Sequence, residues 1–209
     1  MARQENSGGN TTGTVKAATF ALLRGFSITK VFGNPGSTEL PFMSDWPDGI
    51  DYVLGLQEAS VIGMADGYAQ ATRNAAFVNL HAAAGTGHAL GAIFTAYRNQ
   101  TPMVITAGQQ ARSILPLQPF LYAERAAEFP HPYVKWSNEP ARAADVPAAI
   151  ARAYYTAMPP PCGPTFVSIP IDDWDQPAVM LAVREGSREL GPDLAAMKCL
   201  AAALELSES

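Results

Sequence analysis

Hydrophobic positions along the chain follow two alternating periods from residue 14 to about residue 171. Short apolar runs predict buried strands at 30–33, 52–56, 76–81, 103–106 and 165–169. Stretches with apolar residues three or four positions apart predict helices at 14–26, 39–43, 58–71, 85–99 and 141–157. Strands that alternate with helices through short loops indicate the α/β class, with a doubly wound, mostly parallel sheet and helices on both faces.

The two ends of the chain differ from this α/β region. Residues 1–13 are polar and contain no apolar segment, so we expect a disordered leader and no secretory signal. The α/β domain is expected to span residues 14–178. From about Asp172 the chain becomes acidic and irregular, which predicts a surface linker, and helical periodicity returns at 193–205. We therefore expect residues 179–209 to form a linker and the first helix of a truncated middle domain.

Composition excludes several classes of protein. The 209 residues are 48% hydrophobic and 16% charged, a balance that excludes disorder through most of the chain. The net charge is −5 and no basic cluster occurs, which argues against binding to nucleic acid or to an anionic membrane. Cys162 and Cys199 are too far apart in sequence for a redox or metal pair, and no run of 18 apolar residues occurs. We expect a soluble, cytoplasmic protein without a metal site of its own.

Polar residues follow four of the predicted strands. The first strand is followed by the loop 34–37, which ends in Ser37, and the second by Gln57 and Glu58. The third ends at His81, and the fourth is followed by two glutamines at 109–110. Ligands of open parallel sheets bind at the carboxyl ends of the strands. If these strands are neighbours, a serine, a carboxylate and a histidine therefore meet at one edge of the sheet.

Glu58 and His81 each have two interpretations. Glu58 begins a predicted helix and could simply compensate the helix dipole. The apolar residues Leu54, Leu56 and Val61 near it favour instead a carboxyl group in a dry pocket, suited to general acid or base catalysis. His81 could be an ordinary core histidine at the end of an apolar strand, or a proton-transfer group.

Two other enzyme classes are poorly supported. A hydrolase that uses Ser37 and His81 is disfavoured because the chain lacks a Gly-x-Ser-x-Gly segment. Residues 85–91 (GTGHALG) open a helix after a strand, as a dinucleotide-binding loop does, but the third glycine comes one position late.

Gly63 and Gly67 lie within a predicted helix, where glycine costs about 1 kcal/mol and indicates close packing against a neighbour.

Several segments resemble the thiamine-diphosphate-dependent decarboxylases. Residues 31–42 (VFGNPGSTELPF) resemble the start of their pyrimidine-binding domain, and LQEA at 56–59 followed by ADGYA at 65–69 resembles their catalytic-glutamate segment. Four further segments are similar to sequences of the family members that act on benzoylformate: NLHAAAGTG at 79–87, VITAGQQ at 104–110, PYVKW at 132–136 and DDWD at 172–175. Acetolactate synthases have a similar glutamate helix but a Thr-Ser-Gly-Pro-Gly type segment at the position of residues 81–85. The resemblance covers about residues 14–178.

The resemblance implies how the cofactor, thiamine diphosphate, would be bound and activated. Glu58 would hydrogen-bond a ring nitrogen of its aminopyrimidine and thereby promote loss of the proton from the thiazolium carbon. Pro35 and Gly36 would lie against the cofactor. His88 stands where this family is expected to have asparagine. The diphosphate and Mg²⁺ would be bound by another domain, because the Gly-Asp-Gly motif that serves this purpose is absent from the 209 residues.

The resemblance also implies a lyase that converts benzoylformate to benzaldehyde and carbon dioxide. Ser37 would bind the carboxylate or ketone oxygen of this aryl 2-oxo acid, and His81 would relay protons to and from the reacting molecule. Phe120 and Leu121 would form apolar walls for the aryl group.

The chain would then contain half of an active site and be inactive alone. The other half would come from a diphosphate-binding domain of the same or another chain, in a homo-oligomer. A homodimer through the helices that carry Glu58 and Gly85 is expected. Two alternatives remain at this point: a natural small subunit of a split decarboxylase, or a non-catalytic binding module.

Overall fold

The computed structural model describes residues 12–184 and 193–207. Its strands are β1 (Thr12–Thr14), β2 (Lys30–Asn34), β3 (Asp51–Leu54), β4 (Ala76–Leu80), β5 (Met103–Gln109), β6 (Ser137–Asn138), β7 (Pro164–Pro170) and β8 (Pro177–Val179). Six of them form one sheet in the order β3-β2-β4-β5-β7-β6, and every neighbouring pair in it is parallel. The predicted α/β fold with a parallel sheet is confirmed.

Helices cover both faces of this sheet. They are α1 (Val15–Gly25), the short α2 (Leu40–Met43), α3 (Glu58–Thr72), α4 (Ala82–Arg98) and α5 (Val146–Ala157). One apolar cluster joins α1 and α5 to the sheet, and a second joins α3 and α4 to it. Adjacent residues of β4 divide between the two clusters, with Phe77 in the first and Val78 in the second. This division explains why the central strands are apolar throughout instead of alternating.

Three elements differ from the prediction by three residues or more at one end. Helix α5 begins at Val146 and not at 141, directly after a 3-10 turn at Ala143–Asp145. Helix α4 begins at Ala82 and not at 85, because the chain turns directly from β4 into the helix through Ala82, whose φ is 46°. Strand β5 continues to Gln109, since parallel pairing with β7 extends as far as Gln109 opposite Pro170. The start of α4 and the end of β5 therefore both lie at the edge of the sheet formed by the carboxyl ends of the strands.

The ends of the domain also differ from expectation. Thr12 and Gly13, expected in the leader, lie in β1, which pairs antiparallel with β8. The prediction of a surface linker from Asp172 is wrong for the first residues, since Asp173 and Trp174 are buried. Burial there is possible because Arg112 pairs with the Asp173 carboxylate and Trp174 stacks on Phe42. The rest of the predicted leader, 1–11, and the segments 185–192 and 208–209 lie outside the described residues.

A last helix, α6 (Leu194–Ser207), occupies the region where helical periodicity returns. Its leucines and its methionine are exposed in this chain. The domain limit at 178 and the start of a second domain stay predictions. Within the ranges that the structure describes, no helix is both long enough and apolar enough to cross a membrane.

Candidate active site

The direction in which successive strands are added to the sheet reverses between β2 and β4. From β2 the chain proceeds outward to β3, whereas from β4 it proceeds the other way to β5 and β7. At such a point the loops after the two strands separate, and ligands of open α/β sheets bind in the crevice between them. Strand β2 ends at Asn34 and the loop after it carries a 3-10 turn, Ser37–Glu39, whereas the loop after β4 begins with His81. Ser37 and His81 therefore lie in the loops that border this crevice, whereas Glu58 follows the neighbouring strand β3, and Phe120 and Leu121 follow β5.

Glu58 is a buried carboxylate at this edge of the sheet, with 6% of its surface exposed. Its Oε1 accepts a hydrogen bond from Asn34 Nδ2 at 3.1 Å, and its Oε2 lies 3.3 Å from His88 Nδ1. The capping of α3 is performed by the residue before it, because the Gln57 side chain accepts from the backbone N–H of Ser60 at 3.0 Å. Glu58 therefore does not cap this helix, although as the acid of its first turn it remains placed to compensate the helix dipole.

Gly85 is the residue on α4 that faces Glu58. A Cβ atom at this position would lie 2.8 Å from Glu58 Oε1, closer than real Cβ contacts come. Any side chain larger than hydrogen at 85 would push the carboxylate from its place. The glycine at the start of GTGHALG therefore makes room for Glu58 within the chain.

His81 is held by a second carboxylate. Its Nδ1 lies 2.8 Å from Glu39 Oε2 and 3.3 Å from Thr38 Oγ1. A quarter of the imidazole remains exposed, whereas the Glu39 side chain is 1% exposed. A buried acid on one ring nitrogen distinguishes His81 from a histidine that merely fills the core.

The sequence analysis did not identify Glu39 as a functional residue. Besides His81, it accepts hydrogen bonds from Gly36 N at 2.8 Å, Thr38 Oγ1 at 2.6 Å and Gly108 N at 3.0 Å. The available signal was an acidic residue directly after the loop that follows β2, on the same rim as Ser37. An acidic residue at position 39 is equally compatible with the polar face of a short helix, so the sequence pattern does not distinguish Glu39 as a site residue.

Close backbone packing at Gly36 and Gly108 and the backbone conformation of Ala82 hold His81 and Glu39 in contact. A Cβ on Gly36 would overlap the His81 ring, and a Cβ on Gly108 would overlap the Glu39 carboxylate and Thr38. Ala82, directly after His81, is in the left-handed region with φ 46°, a conformation that costs a non-glycine residue about 1–3 kcal/mol. Strained residues of this kind persist where the surroundings hold them in place, often at functional sites.

The remaining predicted site residues lie around the same loops. Ser37 is exposed at the start of the 3-10 turn, and Pro35 and Gly36 are half-buried before it. Phe120 is fully exposed and Leu121 half-buried, both in the irregular segment after β5. A small pocket at this rim is lined by other residues of that segment and of α4 and β5, including Ala82, Ala107, Ala123, Ala126 and Phe129.

The electrostatics of the site reflect its burial. The pKa of Tyr52 on β3 is raised far above its usual value, first by burial of the hydroxyl and then by the negative charge of Glu39. Within residues 12–184 and 193–207, no group of three or more His, Cys, Asp or Glu side chains could hold a metal ion.

Comparison with known proteins agrees with the resemblance seen in the sequence. Residues 13–127 match the family model described as thiamine pyrophosphate enzyme, N-terminal TPP binding domain. The chain is 53% identical to benzoylformate decarboxylase of Pseudomonas aeruginosa over 165 residues, which are 79% of this chain and 31% of that protein. It therefore spans about a third of the length of this curated relative.

Solved structures of related enzymes have the same fold. Benzoylformate decarboxylase from Polynucleobacter necessarius aligns with a TM-score of 0.87 and 50% identity, covering 91% of this chain and 36% of that one. Thiamine diphosphate-dependent 4-hydroxybenzoylformate decarboxylase from Rhodococcus jostii RHA1 aligns with a TM-score of 0.88 and 44% identity, covering 92% and 37%. The chain belongs to the thiamine pyrophosphate enzyme family and contains that family's N-terminal TPP binding domain.

Proposed function

We propose that this chain supplies the cofactor-activating half of a thiamine-diphosphate-dependent decarboxylase site for aryl 2-oxo acids, with benzoylformate as the substrate. The observation that carries the proposal is the buried Glu58 carboxyl group at the crevice edge, which does not cap its own helix. The 53% identity to a benzoylformate decarboxylase supports the choice of substrate.

The residues around Glu58 fit the aminopyrimidine ring of the cofactor. A buried carboxyl group can share a proton with a ring nitrogen, and Asn34 orients it through Oε1. Gly85 lets the carboxylate lie directly against the backbone of α4, and Pro35 with Gly36 would present backbone to the ring. When bound, thiamine diphosphate supplies the electron-accepting centre that decarboxylation requires.

The residues of this chain would bind the substrate and move protons. Glu58 holds a proton at the ring nitrogen, in surroundings that exclude water. His81 exchanges a proton with the reacting molecule, and the exposed Ser37 hydroxyl donates to the carboxylate or ketone oxygen of the 2-oxo acid. Phe120 and Leu121 are proposed as apolar walls for the aryl group, which fits their place in the segment beside the crevice.

The proposal includes partners for this chain. Mg²⁺ and the diphosphate are bound by a further domain of the same or another chain, since this chain spans about a third of its relative. Two copies associate through α3 and α4, where Met64 and Phe94 are exposed to solvent. The free cysteines, Cys162 and Cys199, fit a reducing cytoplasm.

A chimera tests the catalytic role. Residues 12–179 replace the matching segment of the Pseudomonas aeruginosa benzoylformate decarboxylase, and aldehyde release is followed as benzaldehyde from benzoylformate and as acetaldehyde from pyruvate. We expect a preference for benzoylformate and a fall in kcat of about two to four decades for Glu58→Gln and for His81→Ala, the usual contribution of a general acid or base. Glu124→Gln, an exposed control, should leave kcat unchanged. A Glu58→Gln chimera that is folded and fully active contradicts the proposal.

A titration of the purified 209-residue chain tests the half-site. We expect weak or no binding of thiamine diphosphate with Mg²⁺ by calorimetry, because the diphosphate ligands belong elsewhere. Micromolar binding would mean that this chain holds the diphosphate itself, and would overturn the half-site part of the proposal.

A further inference from the structure

Glu39 is a buried acid whose partners are all hydrogen-bond donors. Its side chain is 1% exposed, and its two oxygens receive hydrogen bonds from two backbone N–H groups, the Thr38 hydroxyl and the His81 imidazole. Hydrogen bonds to the charged form of a carboxyl group favour that form. In the described ranges no Lys or Arg lies within ion-pair distance of Glu39, so His81 is its cationic partner whenever the ring is protonated.

The direction of these bonds determines which nitrogen of His81 carries the proton. A carboxylate oxygen can only accept, so Nδ1 at 2.8 Å from Glu39 Oε2 must donate. The Thr38 hydroxyl already donates to Glu39 Oε1 at 2.6 Å, and it can therefore only accept from Nδ1. A neutral imidazole with its proton on Nδ1 has its lone pair on Nε2.

The backbone packs closely against the ring and against the carboxylate that it contacts. Gly36 is so close to the ring that a Cβ there would overlap Nδ1, and Gly108 stands equally close to the Glu39 carboxylate. The strained turn at Ala82 fixes the backbone immediately after His81. Glu39 and His81 lie in the loops that follow the neighbouring strands β2 and β4, and the contacts of His81 with Glu39 and Thr38 tie these two loops together.

We propose that Glu39 is a positioning residue that fixes His81 as the Nδ1–H tautomer and leaves Nε2 as its proton-accepting nitrogen. Glu39 itself does not touch the substrate. The part of the proposal that concerns the tautomer stands on the contacts above, and only its consequence for turnover rests on the proposed function.

Nitrogen-15 NMR of the histidine side chains tests the tautomer in the 209-residue chain, without cofactor or substrate. The chain has three histidines, His81, His88 and His131, and comparison with a His81→Gln sample assigns the signal of interest. At a pH where the ring is neutral, we expect His81 to carry its proton on Nδ1. A wild-type signal with the proton on Nε2 overturns the proposal, whatever any variant does.

Two variants separate positioning from structure. Glu39→Gln preserves size but replaces the obligatory acceptor by a group that can also donate, so we expect the Nδ1–H form to lose its dominance. Glu128→Gln is the matched control, an exposed glutamate that pairs with Arg125, and should leave His81 unchanged. If Glu39→Gln folds and retains the Nδ1–H form, a merely structural role replaces the proposed one.

Turnover is read separately in the chimera described above. Glu39→Gln should lower kcat about 10- to 100-fold with a much smaller change in KM, because the base is misoriented while binding groups remain. An inactive wild-type chimera would count against the proposed function and leave the tautomer result intact. Full kcat in a Glu39→Gln chimera that has lost the Nδ1–H form would overturn the link to catalysis.

Discussion

Gly36 and Gly63 are the same residue type under opposite constraints. A Cβ on Gly36 would overlap the His81 ring, whereas a Cβ on Gly63, within α3, would meet no atom within 4 Å. Gly36 has φ −122°, which an L-residue adopts without strain. Position 36 therefore requires glycine because the His81 ring approaches it closely, and not because of its backbone conformation.

Gly36→Ala should lower the free energy of unfolding by about 1–3 kcal/mol, the usual cost of overpacking a tightly fitted site. Gly63→Ala is the matched control, and at protein concentrations low enough for the chain to be monomeric it should raise stability by up to about 1 kcal/mol because alanine is the better helix former. Urea unfolding of both variants measures the two effects. Equal effects of the two substitutions would mean that the space beside His81 is not limiting.

For single residues, the sequence predicts which of them follow strands, but it does not predict which residues they contact in the fold. Glu58 and His81 were identified because each stands where a predicted strand ends. The burial of Glu39 depends on the N–H of Gly108, which is 69 residues further along the chain. A hydropathy pattern records the neighbours of a residue in sequence, so a contact made across the sheet leaves no trace in it.

Among the elements, the irregular segment after β5 begins with contacts between Arg112 and two aspartates that follow β7. The Arg112 guanidinium donates two hydrogen bonds to Asp173, at 2.7 and 2.6 Å, and its backbone N–H donates to Asp172. The hydrogen bond with Asp173 raises the pKa of Arg112. Asp173 is buried just after β7, so this pair fixes the segment that carries the proposed aryl pocket.

Asp173→Asn should lower the free energy of unfolding by roughly 2–4 kcal/mol. Breaking a buried ion pair leaves the other charge poorly compensated, and partial exposure of Arg112 moderates the loss. Asp145→Asn is the control, an exposed partner of Arg142 whose loss solvent should largely screen. Urea unfolding compares the two, and an Asp173→Asn chain as stable as the control would show that the segment is held by other contacts.

Long elements were predictable from the sequence and short pairings were not. Helix α3 and strand β7 follow from periodicity to within a residue or two, because each buries a face large enough to impose a pattern. The pair of β1 and β8 has three residues on each side, and strand β6 has two. Strands this short are set by tertiary contacts, which is why residues 12–13 and 172–179 were assigned to a leader and a linker.

At the scale of the whole molecule, the outer surface of α3 and α4 has features that nothing within the described chain explains. Gly63, Gly67 and Gly91 lie within these helices, yet no atom would obstruct a Cβ at any of them. Glycine in a helix interior costs about 1 kcal/mol relative to alanine. Met64 and Phe94 are 39% and 43% exposed beside them. An apolar surface with backbone open to close approach favours a partner helix, as the proposed dimer supplies.

Gly91→Arg tests this surface without disturbing the fold. Because a side chain at 91 points into open space in the single chain, the variant should unfold at the same urea concentration as the wild type or a higher one when both are dilute enough to be monomeric. Within a dimer the arginine would be buried in the contact, so we expect the dissociation constant from sedimentation equilibrium to rise at least about tenfold, or 1.4 kcal/mol. Ala148→Arg, at an exposed position of α5 on the opposite face, introduces the same charge and should leave association unchanged. A wild-type chain that is monomeric at all concentrations, or a Gly91→Arg chain that associates as tightly as the wild type, would exclude this surface as the dimer contact.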